Sequence, residues 1–295
     1  MSSVGADLSE AVRRALAEDL GSEDLSVAND VTSSLSLPAG QRGRGEIRVK
    51  TAGVLAGVDC AVQAFRLLDP DVRVEAVVGD AARVSAGDCV LRFEGAMGPL
   101  LAAERTALNF LQRLSGVATR TRSFVDRVAG TGARILDTRK TTPGLRYLEK
   151  AAVVAGGGEN HRIGLFDQVL LKENHFGFAR PAAYADVVRR CCEGHERPVI
   201  AEARTVDEAV AAVDGGASVV LLDNFEAGDP LASAVAAVRE RAEAVDRIVE
   251  TEASGGIVLE NVRRYAESGV DRISVGSLTH SAPAIDLSMV VEGVA

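Results

Sequence analysis

The sequence predicts an α/β chain in two parts: a mixed region whose strands are half exposed, then a short or irregular parallel α/β barrel, with a doubly wound open sheet as the alternative. Three observations carry this expectation. Before Gly130 the strand-like stretches alternate with period two, as in Glu46-Ile47-Arg48-Val49-Lys50, which suits an antiparallel sheet with one wet face. After Gly130, short continuous apolar runs alternate with helical patterns, which suits a parallel sheet covered on both faces. Each of those runs is followed by a polar or glycine residue, and a barrel gathers such strand ends around one mouth.

Taken in order, residues 7–20 predict a helix capped by Asp7 or Ser9, with Val12, Ala15, Leu16 and Leu20 at helical spacing. Residues 29–38 predict a loop. Residues 46–50 and 72–77 alternate, 61–68 predict a short helix, and 84–94 predict two strand arms around Ser85-Ala86-Gly87-Asp88. Residues 99–117 predict a long helix with Arg105, Asn109 and Arg113 on its polar side. Ser115-Gly116 is expected to end it, and residues 119–128 to form another. Six apolar runs follow, at 134–137, 168–171, 198–201, 218–222, 247–250 and 272–275. Helical patterns lie between them at 145–154, 181–192, 206–214, 230–244 and 259–267. The expected domains are residues 1–116 and a barrel of residues 117–280, with a tail of about 281–295 returning to the first domain.

Composition narrows the function. At 295 residues with 47% hydrophobic content, the chain can bury a sizeable core. Its net charge of −9 argues against a nucleic-acid surface, which needs a basic face. Cys60, Cys89, Cys191 and Cys192 form no Cys-x-x-Cys pair, and are expected to be reduced thiols of a cytoplasmic protein. No apolar run approaches the roughly 20 residues of a membrane span. Residues 1–20 form an acidic amphipathic pattern, unlike a signal peptide.

The strand ends carry the chemistry. Arg139, Lys140, His161, Arg162 and Lys172 supply cationic groups, and Glu202, Asp223 and Glu252 supply carboxylates. Arginine forks suit a di-acid, and lysines act as point charges. Glu202 and Asp223 on adjacent strands suit Mg²⁺, a hard cation that takes one or two carboxylates plus substrate phosphates. Ser254-Gly255-Gly256 and Val275-Gly276-Ser277 form glycine turns on the last two strands, a common phosphate cradle in barrels. Gly156-Gly157-Gly158 follows a helix and lacks dinucleotide-fingerprint spacing. The residues thus predict a Mg²⁺-dependent enzyme acting on a phosphorylated substrate and a carboxylated one. An aldolase-like barrel with a Schiff-base Lys172 is the alternative. A non-catalytic scaffold fits poorly with so many ionisable groups at one mouth.

These residues also resemble the quinolinate phosphoribosyltransferase family over nearly the whole chain. The resemblance rests on Ala103-Glu104-Arg105-Thr106-Ala107-Leu108-Asn109, Asp137-Thr138-Arg139-Lys140-Thr141, Gly156-Gly157-Gly158 with Asn160-His161-Arg162, and Lys172-Glu173-Asn174-His175. It continues through Leu222-Asp223-Asn224-Phe225, Ala253-Ser254-Gly255 and Val275-Gly276-Ser277-Leu278-Thr279-His280. The resemblance implies an α/β sandwich domain followed by an incomplete α/β barrel of the type II phosphoribosyltransferase kind. It implies homodimers or larger assemblies in which Arg105 reaches the partner's site. The implied reaction condenses quinolinate with phosphoribosyl pyrophosphate and releases CO₂ and pyrophosphate to give nicotinate mononucleotide. Arg105, Thr138, Arg139, His161, Arg162 and Lys172 would hold quinolinate. Lys140, Glu202, Asp223, Ser254, Gly255, Gly256, Val275, Gly276, Ser277 and His280 would hold phosphoribosyl pyrophosphate. Lys140, Lys172, Glu202 and Asp223 would be catalytic, and Glu202 and Asp223 would hold Mg²⁺ directly or through water. Ile200 and Arg204 stand where the commoner family pattern carries further acids, and Lys172-Glu173 replaces a more frequent Lys-Asp.

Overall fold

A computed structural model describes residues 2–294. The chain opens with α1 (Ser2–Leu20), a 3-10 turn (Val27–Asn29) and α2 (Val31–Ser36). Next come β1 (Arg42–Val49), β2 (Gly53–Val54), α3 (Val58–Leu68), β3 (Arg73–Ala76), β4 (Arg83–Val84), β5 (Cys89–Ala96) and α4 (Met97–Val128). Strand and helix then alternate: β6 (Arg134–Leu136), α5 (Arg146–Ala155), β7 (Val169–Leu171), α6 (Glu173–Phe178), α7 (Tyr184–Gly194), β8 (Val199–Ala203) and α8 (Val206–Gly215). The series ends with β9 (Val219–Asp223), α9 (Asp229–Ala244), β10 (Glu250–Ser254), α10 (Val262–Glu267), β11 (Arg272–Ser274), α11 (Ser277–His280) and β12 (Leu287–Val294). By packing, residues 1–122, 141–157 and 279–295 form one unit, and residues 123–140 and 158–278 another. These limits differ from the expected 1–116 and 117–280, chiefly because α5 packs within the first unit.

The first unit holds a four-stranded antiparallel sheet in the order β12-β1-β5-β3. One face is buried through Ile47, Leu91 and Phe93, and Phe93 stacks on Phe65 of α3 with ring centroids 4.9 Å apart. On the other face, cross-strand register alternates charge: Glu292, Arg44, Glu94 and Arg73 face one another across all four strands. This is the alternation of apolar-in and polar-out that the period of two predicts.

Three local expectations in this unit fail, each for an identifiable reason. The first helix starts well before Asp7 and Ser9, which lie inside it. Residues 31–36 are helical, because Asp30 caps α2 by accepting from the amides of Thr32 (3.1 Å) and Ser33 (3.0 Å). Ser115-Gly116 does not end a helix, since α4 runs unbroken for 32 residues. Gly116 is required by packing instead: a Cβ there would lie 2.1 Å from the Pro283 carbonyl oxygen. Ser115 is likewise committed to a neighbour, its hydroxyl accepting from the Ala56 amide (2.9 Å) and donating to the Ala56 carbonyl (3.1 Å).

The second unit is a six-stranded, all-parallel sheet in the order β6-β11-β10-β9-β8-β7. Strands β6 and β7 are consecutive in this unit but form its two edges, so the barrel is incomplete. A single parallel bridge, Leu136 with Glu159, continues the sheet beyond β6. β8 is buried at every position, and Ile200, Val219 and Leu221 form a cluster with Leu170, as expected for strands covered on both faces. The fifth run is displaced from its expected place. Ile248 is 96% exposed, and the strand comprises Glu250–Ser254 instead. Its interior residues Thr251 and Glu252 are polar but fully buried. Hydrophobic periodicity cannot detect such a strand, because its burial depends on partners distant in sequence.

Candidate active site

Because all six strands are parallel, their carboxyl ends share one edge of the sheet. Thr138, Arg139 and Lys140 follow β6 by two to four positions, Lys172 follows β7 directly, and Glu202 is next to last in β8. Asp223 ends β9, Ser254 ends β10, and Val275-Gly276-Ser277 follow β11. His161 and Arg162 stand just past the bridge at Glu159. Arg105 and His280 belong to the first unit.

Asp137 anchors this edge. It is fully buried, and its Oδ1 accepts the His161 amide at 2.8 Å. The Arg162 amide donates to His161 Nδ1 at 2.7 Å, and His161 Nε2 lies 3.4 Å from Glu252 Oε1. The ring therefore faces inward. Its Nδ1 is engaged by a backbone amide, and its Nε2 lies on the Glu252 side. The two arginines behave differently. Burial pushes the Arg162 guanidinium below its usual range, and repulsion from Arg139 adds to this, with Asp167 opposing. Arg139 Nε is buried without a hydrogen bond among the described residues. Guanidinium forks are the side chains best shaped to take a carboxylate through two parallel hydrogen bonds.

Lys172 Nζ lies 3.4 Å from Glu202 Oε2, and Glu202 Oε1 accepts the Glu173 amide at 3.0 Å. The Tyr184 hydroxyl donates to the Glu202 carbonyl at 2.7 Å, and the Tyr184 ring stacks on Phe176 of α6 with centroids 3.8 Å apart. His175 Nδ1 accepts the Lys172 amide at 2.9 Å, fixing the turn between β7 and α6. The Lys172 side chain is paired and 53% exposed. A Schiff-base lysine needs a desolvated pocket, so the aldolase alternative loses its basis.

Burial pushes the Asp223 carboxyl up, and the charge of Glu202 adds to it; Lys172, Lys140 and a hydrogen bond from Asn224 pull the other way. Two carboxylates that repel one another in this way are the oxygen donors Mg²⁺ accepts, and a cation between them relieves the repulsion. Asn224 has φ of 58°, and a Cβ on Gly255 would lie 2.1 Å from its side-chain oxygen. Glycine is obligatory there, with φ of 100° as well. The two glycine turns are not equivalent. Ser277 begins α11 directly, whereas Gly256 is separated from α10, which starts at Val262.

In the first unit, Arg105 is exposed on the rim of a cavity of about 390 Å³ lined also by Glu18, Asp19, Asn109, Arg113 and Leu145. Arg113 is a cross-link. It donates to the fully buried Glu149 through Nη2 (2.8 Å) and to the Ala282 carbonyl through Nη1 (2.9 Å). Glu149 also accepts from the Thr142 amide (3.0 Å) and hydroxyl (2.8 Å). His280 is exposed, its Nδ1 2.6 Å from the Ser281 hydroxyl. Gly156 is required by close contact, since a Cβ would lie 2.4 Å from the Ala118 carbonyl. This is a packing role, in keeping with its failure as a nucleotide fingerprint.

Comparison with known proteins decides the family. Residues 30–115 match the N-terminal domain of quinolinate phosphoribosyl transferase and residues 117–290 match its C-terminal domain. The chain belongs to the quinolinate phosphoribosyltransferase family. Among relatives, the nicotinate-nucleotide pyrophosphorylase [carboxylating] of Mycobacterium leprae is 39% identical over 95% of both chains. A probable nicotinate-nucleotide pyrophosphorylase [carboxylating] of Bacillus subtilis is 38% identical over 92% of this chain and 89% of its own. The solved nicotinate-nucleotide pyrophosphorylase of Francisella tularensis superposes with a TM-score of 0.86 at 35% identity, covering 97% of this chain and 96% of its own.

Within this quinolinate phosphoribosyltransferase fold, several polar residues that shape the site escape a reading of strand ends. Asp137, Glu149 and Arg272 are engaged in the interior, and Glu252 stands within a strand instead of after one. Their signal in the sequence is weak, a charged residue inside or beside an apolar run, and it has no meaning until the partner is known.

Proposed function

We infer that the chain is a nicotinate-nucleotide diphosphorylase (carboxylating), a pentosyltransferase of NAD biosynthesis. It transfers the phosphoribosyl group from phosphoribosyl pyrophosphate to quinolinate with decarboxylation, giving nicotinate mononucleotide, CO₂ and pyrophosphate. Family membership over both domains supports the reaction. The observation that carries its chemistry here is the placement at the carboxyl ends of one parallel sheet of Arg139 after β6, Lys172 after β7, Glu202 in β8 and Asp223 at the end of β9.

In this reading Arg139, Arg162, Thr138 and Lys172 hold the two quinolinate carboxylates, with Arg105 contributed by the partner of a homodimer or larger assembly. The Nδ1-accepting ring of His161 orders the Arg162 peptide. Lys140 attends the phosphoribosyl pyrophosphate, and the turns at Ser254-Gly255-Gly256 and Val275-Gly276-Ser277, with His280, take the 5′-phosphate. Glu202 and Asp223 would hold Mg²⁺, which would supply neutralisation of negative charge on the pyrophosphate leaving group. The same carboxylates stabilise positive charge developing on the ribose as the pyridine nitrogen attacks. Once the ring nitrogen is cationic, it stabilises the electron pair left on the adjacent ring carbon when its carboxylate departs as CO₂, and a proton from solvent then takes that position. Lys172, released from Glu202 by the incoming carboxylate, changes partner without a proton transfer. Cysteines that are all free suit the cytoplasmic location proposed here.

The test is release of CO₂ from carboxyl-labelled quinolinate by the purified protein. It is expected only when phosphoribosyl pyrophosphate and Mg²⁺ are both present. Phosphoribosylation of nicotinate with no release from quinolinate would overturn the assignment.

A further inference from the structure

Glu252 is the one fully buried carboxylate of β10, and nothing in the reaction above uses it. It lies between two cationic or donor groups: Arg272 Nη2 at 3.0 Å from Oε2, and His161 Nε2 at 3.4 Å from Oε1. Arg272 is held in turn by Glu250 (3.4 Å). Glu250 pairs with Arg134, which also reaches Glu159 at 3.0 Å. The result is a column of alternating charge. It starts with half-exposed side chains at the beginnings of β6 and β10 and ends buried, beneath His161.

Apolar residues in place of both Glu252 and Arg272 would fill this space at no greater cost if stability alone were at stake, because buried ion pairs rarely beat a well-packed hydrophobic replacement. What an apolar residue at 252 could not do is set a carboxylate oxygen 3.4 Å from His161 Nε2, a polar contact that falls short of a well-aligned hydrogen bond. An imidazole that accepts the Arg162 amide at Nδ1 carries its proton on Nε2, and that N–H faces Glu252. With Asp137 accepting the His161 amide, two successive amides are thus fixed by side-chain acceptors. The second of them belongs to Arg162. Removing the oxygen at 252 takes away the polar contact of that buried N–H with β10, and the ring is then able to rotate or change tautomer. Either move releases the Arg162 amide.

We propose that Glu252, held by Arg272, is a positioning residue for the dicarboxylate subsite: through the tautomer and orientation of His161 it fixes the peptide from which the Arg162 guanidinium reaches its ligand. This rests on Arg162 being a quinolinate ligand. It adds a requirement that the strand-end residues do not reveal, namely a buried acid one strand away that never touches substrate.

The experiment compares Glu252→Gln, Glu252→Asp and Glu252→Leu in the full-length protein, with two readouts. The chain has 4 histidines, so ¹⁵N-histidine labelling resolves each ring, and two-bond correlations report the His161 tautomer without any substrate. The wild type is expected to show the Nε2–H form. Gln keeps an acceptor at the same reach and is expected to keep that form. Asp keeps the charge but withdraws by one methylene, and Leu offers no acceptor; both are expected to lose it. In steady state, Asp and Leu are expected to raise the quinolinate KM about tenfold, leaving the phosphoribosyl pyrophosphate KM within about twofold, while Gln stays near wild type. Should Leu fail to fold, the Gln and Asp pair still decides, because charge and reach predict opposite orders. A wild-type His161 tautomer and quinolinate KM in Glu252→Asp would overturn the proposal, as would equal losses in both KM values across all variants. Failure of quinolinate turnover by the wild type would instead strike the functional reading, and the tautomer measurement would still judge the positioning role.

Discussion

At residue scale, Glu252 shows how burial and pairing compete. Burial raises its pKa, but the hydrogen bond and charge of His161, the charge of Arg272 and a hydrogen bond from Ser274 together hold it below the ordinary 4.5. A depressed folded-state pKa contributes stability above the unfolded value, and this is lost as pH falls through the folded one. The difference in Tm between wild type and Glu252→Gln is therefore expected to be steady from pH 7 to about 5 and to shrink below about 4.5. Thermal scans across that range check the sign; a gap that widened on acidification would refute it. Arg113 offers a second case. Glu149 is fully buried with Arg113 as its counter-ion at 2.8 Å, so Arg113→Met is expected to cost about 3–5 kcal/mol by leaving the buried charge unpaired, with the Thr142 amide and hydroxyl still donating to it. Urea denaturation measures this, and a loss below 1 kcal/mol, the usual worth of an exposed pair, would contradict the cross-link role.

At the scale of elements, α4 is the instructive one. Ser115-Gly116 has the look of a helix stop, yet the helix continues through it. Two opposing effects bear on Gly116→Ala. In an unobstructed helix interior alanine is favoured over glycine by up to about 1 kcal/mol. Here the new Cβ would stand 2.1 Å from a backbone carbonyl, and overpacking of that kind costs about 1–3 kcal/mol. The clash wins, and Gly116→Ala is expected to lower Tm; a rise would mean the carbonyl of Pro283 moves away freely. Strand β10 makes a related point. Its displacement from the apolar run at 247–250 to Glu250–Ser254 places Ser254 at the strand end and turns Glu252 inward, a change of roles decided by four residues of register.

At the scale of the whole molecule, a net charge of −9 surrounds a sheet edge where Arg139 and Arg162 repel one another. Cations gather there nonetheless, after β6, after β7 and beyond the Glu159 bridge, opposite the Glu202 and Asp223 carboxylates of β8 and β9. The proposed shared site extends this logic to two chains. If Arg105 serves the partner's site, mixing Arg105→Ala and Lys172→Ala subunits creates one intact site in each mixed dimer. Random mixing then restores about one quarter of wild-type activity. Each variant alone is expected to be nearly inactive, and absence of recovery on mixing would count against sharing.

What the sequence determined by itself is the part governed by local chemistry. Apolar runs of strand length, spaced by helical patterns, specify a parallel sheet whatever the details of packing. The polar residues that close those runs, Arg139, Lys172, Glu202 and Asp223, are legible because a charged residue at the end of an apolar run stands out before any packing is known. What only the tertiary structure decided is the fate of polar residues that are buried. Asp137, Glu149, Glu252 and Arg272 are engaged in the interior because partners distant in sequence meet them there, and His161 points inward for the same reason. The break expected at Gly116 and the strand expected at 247–250 failed alike, since a glycine's reason and a glutamate's burial both depend on what the fold brings beside them.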